Sequence, residues 1–498
     1  MTDLPILSII ICIPIITLVF LLPLSGNNTK NSGLIYVRYV ALLGTILTFI
    51  ASLYLLFSFD FNTPKYQFIE SYNIFNIEFL RLSFGVDAIA LYFVALTTLL
   101  SSLVMIYSIG RVKLHIKNYL LNFLMLEICL LGLFCTTNLL LFYIFFEFVL
   151  VPMYLIIGIW GGENKSYAAI KFFLYTCIAS LFVLVGIIYL GLELKELDLQ
   201  NLPVLTQKLP IETQRYLWWA AFIAFAVKTP MIPLHTWLPD AHVQAPTGGS
   251  VMLAAILLKI GVYGLLRFCV QLFPVISFEY QNFVIILSII AIIYASIVAY
   301  GQTDIKKLVA YSSVAHMGYA TASLFTMTNT GVSAAIFQML SHGLISAGLF
   351  FIVGMLYDRL HTKDIRSYGG VATKMPIMAI FFMLFTLANI GFPGTSGFIG
   401  ELLSLFSIFE YNKIYGVIAC FGVVLSAVYM LTLYSVVMLG PIGNPKVNKM
   451  IDITYKESII LAPIIILILY IGIFPNVITD IYFLPTMYSD FNIGKEGV

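Results

Sequence analysis

Apolar stretches long enough to cross a bilayer, about 20 residues each, follow one another along almost the whole sequence, separated by short polar segments. A membrane β-barrel would instead show alternating segments of about ten residues. The pattern therefore predicts an all-α polytopic membrane protein with about fourteen transmembrane helices. The predicted spans are 4–24, 35–58, 84–109, 117–135, 138–160, 167–192, 217–240, 248–272, 282–301, 308–328, 331–356, 376–409, 414–440 and 456–478.

Helix-breaking residues interrupt two of these spans. In the span 217–240 three prolines follow Lys228, and the span 376–409 contains the segment NIGFPGTSGF. Interrupted spans at corresponding places of two helix blocks are typical of inverted-repeat transporters. We therefore expect two inverted five-helix repeats, each with a broken helix. The expected divisions are three N-terminal helices at 1–116, a first repeat at 117–272, a second repeat at 273–440, and a final helix and tail at 441–498.

Composition and charge support a membrane protein and exclude other classes. The chain is 61% hydrophobic and only 10% charged, whereas a soluble domain has about 25% charged residues. Its formal charge of +2 indicates no nucleic-acid partner. Lysine and arginine are concentrated in the loops after odd-numbered spans, so we expect those loops to face the cytoplasm or matrix and both termini to face the opposite side. The six cysteines form no CxxC pair, and we expect them to be small buried side chains.

Ionisable residues lie deep in several predicted spans, where they are costly and usually mark a transport path. At about 1.5 Å per residue, two glutamates lie roughly 12–14 Å from the outer helix ends, and two lysines lie near the bilayer centre. We expect these side chains to share one level at the membrane midplane. The candidates are Glu147, Lys228, Lys259, His316, His342 and Glu401, with Glu127, His235 and His242 as secondary candidates.

A lysine beside a movable carboxylate can act as a proton relay. Burial disfavours the charged form of lysine and a neighbouring carboxylate favours it, so movement of Glu147 relative to Lys228 would release and reload a proton. The same ion pair could simply fix helix packing. His235 and His242 could guide protons from the matrix side or cap their loop. Arg267 and Lys171 lie near helix ends and are expected to be anchors whose charges reach the surface.

Two of the candidate residues could instead bind a redox cofactor. His316 and His342 lie on adjacent antiparallel spans and could ligate a haem, but a haem would leave the lysines and glutamates at that depth unexplained. The sequence has no Rossmann fingerprint, no phosphate-binding loop and no iron–sulfur spacing. We therefore expect neither a redox cofactor nor a metal in this chain.

Four motifs carry a resemblance that covers nearly the whole chain. They are HTWLPDAHVQAPTGGSVMLAAILLKIGVYGLLR (235–267), QTDIKKLVAYSSVAHMGY (302–319), LSHGLISAGLFFIVGMLYDR (340–359) and FTLANIGFPGTSGFIGE (385–401). With them the sequence resembles the antiporter-like membrane subunits of respiratory complex I, NADH:ubiquinone oxidoreductase, and among these the chain 4 type. A glutamate at 401, where related chains usually carry lysine, favours that type.

The resemblance implies a subunit of an H⁺-translocating NADH:ubiquinone reductase, driven by electron transfer in other subunits. NADH, FMN, iron–sulfur clusters and ubiquinone would be bound by those subunits. By position, Glu147 and Lys228 resemble the input charge pair and Lys259 the central relay. His316 and His342 resemble the bridge to the second half, and Glu401 the terminal group.

The resemblance also implies partners and a location. The partners would be other membrane-arm subunits of complex I, including neighbouring antiporter-like chains, together with membrane lipids. The location would be the mitochondrial inner membrane, with a bacterial plasma membrane or a thylakoid as alternatives. Two other functions stay open from the sequence: an Mrp-type cation/proton antiporter subunit, and a passive scaffold whose charges only hold helices together.

Overall fold

The computed structural model describes residues 4–24, 33–72 and 81–480, which are mostly helical. Within these residues, ten helical segments are long and apolar enough to cross a membrane, which confirms the all-α polytopic architecture. The described helices are α1 (Ile6–Leu21), α2 (Gly33–Ser58), α3 (Ala88–Ser108), α4 (Ile116–Cys135), α5 (Leu139–Phe148), α6 (Leu150–Trp160), α7 (Lys165–Leu194), α8 (Leu202–Thr206), α9 (Ile211–Lys228), α10 (Trp237–Gln244), α11 (Thr247–Met252), α12 (Leu258–Gly264), α13 (Pro274–Tyr300), α14 (Ile305–Leu324), α15 (Asn329–Leu360), α16 (Pro376–Ile390), α17 (Ser396–Tyr411), α18 (Lys413–Met438), α19 (Tyr455–Ile473) and α20 (Asn476–Thr479).

Shorter helical turns complete the description. Two π-helical turns, Leu253–Leu257 and Leu265–Val270, lie before and after α12, so that Thr247–Val270 forms one continuous helical segment. Turns of 3₁₀ helix occupy Ile365–Ser367, Val371–Thr373 and Val447–Lys449.

Each predicted span overlaps a helix or a pair of consecutive helices. The two predicted breaks separate α9 from α10 and α16 from α17. A third interruption, which the sequence did not predict, divides 138–160 into α5 and α6 at Val149. Pro152 explains it, because proline has no N–H to donate to the carbonyl of Phe148 four residues earlier. The division into repeats at 117–272 and 273–440 stays a prediction.

A small β-hairpin departs from the all-helical expectation. Strand β1 (Gln67–Tyr72) pairs antiparallel with β2 (Leu82–Val86). Strand β1 lies in the predicted loop before residue 84, whereas most of β2 occupies the start of the predicted span 84–109. Glu70 on β1 accepts hydrogen bonds from the backbone N–H groups of Leu7 (2.9 Å) and Ser8 (3.0 Å) at the start of α1. A carboxylate is favourable there because free N–H groups and the helix dipole both attract it. The hairpin thereby fixes the first helix.

Two helical segments lie in the centre of the molecule. The most apolar windows of Thr247–Val270 and α15 are fully buried, whereas those of α2 and α18 are only about one-third buried. The outer helices carry large exposed apolar side chains such as Val185 on α7 and Phe421 on α18. Polar side chains on the two central segments therefore face protein and not the surroundings.

One end of the helix bundle carries most of the basic residues. The loops 109–115, 161–164, 301–304, 361–375 and 439–454 meet there, as shown by the backbone bridge between Asp304 and Asp364 and by the hydrogen bond from Asn444 to the carbonyl of Ser367. We call this the lysine-rich end. Its described basic residues include Arg111, Lys113, Lys165, Lys306, Lys307, Arg359, Lys363, Arg366, Lys374, Lys446, Lys449 and Lys456.

Candidate functional site

The first broken helix ends at a buried lysine. Helix α9 ends at Lys228, and Pro230 follows two residues later, a common place for proline after a helix. The indole N–H of Trp237 donates to the freed carbonyl of Val227 (2.9 Å), as irregular backbone inside a membrane requires. Pro239 was expected to interrupt the helix, but it does not. It lies in the first turn of α10, where no backbone N–H is needed.

Lys228 and Glu147 are not in direct ion-pair contact in the structure. Its Nζ is buried and has no hydrogen-bond partner among the described residues. The ammonium lies instead over the rings of Phe146 (5.2 Å to the centroid) and Phe172 (5.5 Å), an arrangement that stabilises a cation. Glu147 follows Phe146 directly and is near enough for each charge to affect the other. Its Oε1 also has no partner in the described part of the chain.

Lys259 on α12 contacts a histidine on α15. Its fully buried Nζ donates to the carbonyl of Ala254 (2.5 Å) and lies 2.6 Å from Nδ1 of His342. In the preceding π turn, backbone N–H groups donate to the carbonyl five residues earlier instead of four. Such turns are frequent at functional sites. Gly343 permits the close approach of the two helices, because a Cβ there would lie 3.1 Å from the carbonyl oxygen of Ala255.

Two further side chains extend this contact into a row. The rings of His342 and His316 lie 5.5 Å apart, centre to centre, at 37°. Nδ1 of His316 lies 3.1 Å from Oε1 of Glu401, and both side chains are buried. Lys259, His342, His316 and Glu401, from α12, α15, α14 and α17, therefore lie in one row, with close polar contacts at its two ends and the two histidine rings side by side between them. We call it the central row.

The second broken helix makes room for Glu401. Gly391 ends α16 with φ +78°, and Gly394 has φ +89°, both in the left-handed region that favours glycine. A Cβ on Gly391 would lie 2.6 Å from Oε2 of Glu401. The carboxylate thus occupies space that a larger residue would take. Helix α17 restarts at Ser396, so Glu401 lies in its second turn.

A cavity of about 10 Å³ lies beside the central row, close to the smallest volume that holds one water molecule. Sequence reasoning missed several residues here. The Nε2 of Gln338 lies 3.5 Å from Nδ1 of His316, and Ser341 donates to the Ser396 hydroxyl at 2.8 Å. Gln338 is four residues before His342, a spacing that places two side chains on one helix face and could have drawn attention to it. The lining residues are His316, Gln338, Ser341, His342, Ile345, Ala388, Asn389, Gly397 and Glu401.

The secondary candidates lie outside the central row. Glu127 on α4 is fully buried, and neither carboxylate oxygen has a hydrogen-bond partner among the described residues. The ring of His242 stacks on Phe350 (4.7 Å between centroids, 8° between planes). His235 lies in the first break with its ring 5.6 Å from that of Tyr294.

Two other charges in the spans are paired. Arg267, expected to reach the surface, is instead buried and forms an ion pair with Asp87 (2.5 Å) from the start of α3. The ring of Tyr263 lies 4.9 Å from the guanidinium carbon. Lys171, also expected to be a free anchor, pairs with Asp240 at 2.7 Å. These pairs link helices, and their charges are already neutralised.

The interior thus contains two kinds of ionisable group. Lys228, Lys259 and Glu127 have no ion-pair partner among the described residues. Within the same residues, no group of three or more His, Cys, Asp or Glu side chains is arranged to hold a metal ion. Lysine, histidine and glutamate in hydrogen-bond contact can pass a proton from one to the next, and this is the chemistry that the central row offers.

Comparisons with known proteins identify the family of this chain. Residues 136–426, more than half of the chain, match the family described as NADH:quinone oxidoreductase/Mrp antiporter, TM. NADH-quinone oxidoreductase subunit M of Rickettsia felis is 54% identical over 482 residues, which cover 97% of this chain and 98% of the relative. NADH-ubiquinone oxidoreductase chain 4 of Marchantia polymorpha is 41% identical, with 96% of each chain covered.

Solved structures show the same fold. A chain of respiratory complex I from Thermus thermophilus matches with a TM-score of 0.86 and 27% identity, covering 96% of this chain and 98% of that one. A chain of the Mrp complex from Dietzia matches at TM-score 0.80 but 21% identity, and covers only 50% of that chain, so it supports the fold alone. The protein therefore belongs to the NADH:quinone oxidoreductase/Mrp antiporter family, as an antiporter-like membrane-arm subunit of complex I of the subunit M and chain 4 type.

Proposed function

We propose that this chain moves protons through the membrane along the central row, with Lys228 and Glu147 as a charge-sensing input. The observation that carries the proposal is the series of contacts from Lys259 Nζ to His342 Nδ1 (2.6 Å) and from His316 Nδ1 to Glu401 Oε1 (3.1 Å). A static scaffold needs paired charges, as in Arg267 and Asp87. Unpaired lysines in a membrane interior are costly and support transport instead.

The steps follow from the acid and base properties of these side chains. The Lys259 ammonium donates to neutral His342, whose two ring nitrogens let it accept on one and release from the other. A water in the adjacent cavity would bridge the distance to His316. His316 then transfers the proton from its Nδ1 to Oε1 of Glu401, which lies 3.1 Å away.

Lys228 would bind or release a proton according to the position of Glu147. When Glu147 is close, its negative charge favours the ammonium form of Lys228. When the carboxylate moves away, the burial of Lys228 favours release of the proton. The aromatic rings of Phe146 and Phe172 stabilise the cation while it has no ion partner. The helix interruptions at Val149 and after Lys228 allow both side chains to move.

We also infer how the chain serves the whole complex. Electron transfer from NADH to a quinone would take place in other subunits, which would bind all the redox cofactors, and this chain would respond through its contacts with them. Neighbouring antiporter-like chains and membrane lipids would be its direct partners. The family assignment and the central row support this division of labour.

The membrane and orientation are part of the proposal. The lysine-rich end would face the cytoplasm or matrix, following the positive-inside rule. The N-terminus would face the opposite side, as would the C-terminal residues 481–498, which lie outside the described part. The 52–54% identity to Rickettsia proteins supports a bacterial plasma membrane, with the mitochondrial inner membrane as its counterpart.

Replacing Lys259 by methionine tests the proposed route. Methionine is apolar and of similar length, so the complex should assemble, but the first proton carrier of the central row is lost. Complex reconstituted into vesicles should translocate fewer protons per NADH, or lose turnover with an intact assembly. The control is Lys449→Met, which replaces an exposed lysine in the loop 439–454. A Lys259→Met complex with normal turnover and normal proton stoichiometry would refute the route, and cation-dependent proton flux without NADH would favour the antiporter alternative.

A further inference from the structure

The lysine-rich end contains a second polar cavity, separate from the central row. It has a volume of about 440 Å³ and lies between the ends of α3, α6, α10 and α15. Its polar lining is formed mainly by basic residues. They are Arg111, Lys113, Lys165, Lys306 and Lys363, and Asp358 is the acidic residue of the lining.

Of the five basic side chains that line the cavity, Arg111 is the one that pairs with carboxylates of the described residues. Arg111 forms an ion pair with Asp358 (2.8 Å) and another with Glu457. None of the four lysines forms an ion pair with a carboxylate of the described residues. Among the described residues, basic side chains therefore outnumber the carboxylates in contact with them in this cavity.

Backbone carbonyls hold three of these lysines in place. Lys306 donates to the carbonyl of Ala245 (2.8 Å), and Lys363 donates to that of Val243 (2.7 Å), both near the end of α10. Lys165 donates to the carbonyl of Ile159 near the end of α6 (2.7 Å). An ammonium has three N–H donors, so each of the three keeps two for a ligand. Their positions are set before any ligand arrives.

The cavity also has an apolar side. Trp160 lines it, and its indole N–H donates to the carbonyl of Leu114 (2.8 Å). Leu114 and Ile159 are both exposed, at 73% and 42%. Tryptophan beside exposed aliphatic residues is typical of the level where lipid headgroups meet water. The opening thus lies where either an aqueous anion or a lipid headgroup can enter.

We propose that this basic cavity is a binding site for a phosphate group, carried by an anionic lipid headgroup or by a free phosphate. Basic pockets between membrane helices on the cytoplasmic or matrix side have the chemistry to bind phosphate-containing headgroups. Ammonium groups bind phosphate oxygens by charge-assisted hydrogen bonds. The proposal does not depend on the proton route, because none of these residues belongs to the central row.

The charges around Lys363 are compatible with an anion bound in the cavity. Burial lowers the pKa of Lys363, and the charges of Asp304 and Glu163 raise it again. A bound phosphate would act in the same direction as those two carboxylates and would favour the ammonium form.

Chemical labelling of the purified complex tests the site. Lys113 lines the cavity and is exposed, so an amine-reactive acetylating reagent should modify it, as measured by peptide mass spectrometry. The delipidated complex is labelled in phosphate-free buffer, with millimolar inorganic phosphate, with phosphatidylcholine vesicles, or with vesicles that also contain phosphatidylglycerol. We expect several-fold protection of Lys113 with the anionic vesicles if a headgroup binds, or with inorganic phosphate if a free anion binds.

Matched controls make the result decisive. Lys446 and Lys449 are exposed at the same end but outside the cavity, and their labelling should not change. The double variant Lys165→Gln/Lys363→Gln should lose the protection of Lys113. Equal protection by neutral and anionic vesicles, protection of Lys446 and Lys449 as well, protection that persists in the double variant, or no protection at all would each overturn the proposal.

Discussion

At the scale of single residues, this chain contains interior charges of two kinds. Arg267 and Asp87 are in direct contact and buried together. Lys228 and Lys259 are equally buried, but their ammonium groups contact aromatic rings, a backbone carbonyl or a histidine ring, and form no ion pair with a carboxylate of the described residues. The first kind stabilises the fold, and the second is the kind that we propose exchanges protons.

Replacing Lys228 by arginine and by methionine separates charge from proton exchange. Arginine keeps the positive charge but cannot be deprotonated in a protein, whereas methionine removes both properties. If Lys228 exchanges protons, both variants should lower the protons translocated per NADH, or the turnover, of the reconstituted complex. Normal proton translocation by Lys228→Arg would instead show that only a fixed charge is needed.

Replacing Arg267 by methionine should destabilise the protein without a specific effect on proton stoichiometry. The change leaves the Asp87 carboxylate buried and unpaired, at a cost of about 3–5 kcal/mol. Thermal inactivation of the complex should occur at lower temperature. The double variant Asp87→Asn/Arg267→Met carries no unpaired charge and should be more stable than Arg267→Met alone. An equally unstable double variant would mean that the guanidinium matters for packing instead of charge.

The sequence predicted which residues belong to the candidate site, but not how they pair. Charged residues are so rare in apolar spans that Lys228, Lys259 and Glu401 stand out at once. Counting residues from helix ends gives depth, and it gives no direction around the helix axis. The partner of Arg267 lies 180 positions away in the chain, and the phenylalanine rings that the Lys228 ammonium contacts are ordinary core residues in the sequence.

At the scale of elements, the candidate groups lie where regular α-helix is interrupted. Lys228 is the last residue of α9, Glu147 lies two residues before Val149, and Lys259 lies between two π turns. Glu401 follows the break after α16. Proline and glycine made two of these breaks predictable. The π turns were not predictable, because they contain ordinary helix-forming residues and no proline or glycine, and their dihedrals stay in the α-helical region, such as φ −58° and ψ −53° at Leu253.

Substituting alanine at Gly391 and at Gly394 tests the second break. Both residues have positive φ, so alanine should cost about 1–2 kcal/mol of backbone strain at either position. At Gly391 the added Cβ would also meet Glu401, whereas at Gly394 no heavy atom of the described residues lies within 4 Å of it. We expect similar losses of thermal stability, with a further loss of proton translocation only for Gly391→Ala. Equal proton translocation in both variants would contradict the role given to the glycine.

At the scale of the whole molecule, an ion cluster fastens the last long helix to the centre. Glu457 in the first turn of α19 accepts hydrogen bonds from Arg359 on the central helix α15 (2.9 and 3.0 Å) and pairs with Arg111 after α3. It also forms a capping box with Thr454. One carboxylate therefore connects three helices that are far apart in the sequence. Only the concentration of basic residues at this end was predictable, not the cluster.

Replacing Glu457 by glutamine should loosen α19. The amide keeps one acceptor oxygen but loses the charge that attracts two arginines, which should cost about 1–3 kcal/mol. Limited proteolysis of the purified complex in the loop 439–454 should become faster, while Glu410→Gln, an exposed change at the end of α17, should leave the rate unaltered. An unchanged proteolysis rate in Glu457→Gln would show that the cluster does not hold the helix.

The two π turns around α12 also constrain which insertions and deletions this chain tolerates. Each π turn accommodates one residue more than an α-helical turn. A single deletion within Leu253–Leu257 would therefore convert that turn to α-helix and leave Lys259 directed toward His342. In an uninterrupted α-helix, such as the α15 helix that carries His342, the same deletion would rotate the residues beyond it by roughly 100° about the helix axis. The contact between Lys259 and His342 thus tolerates a change of length on the lysine side and not on the histidine side.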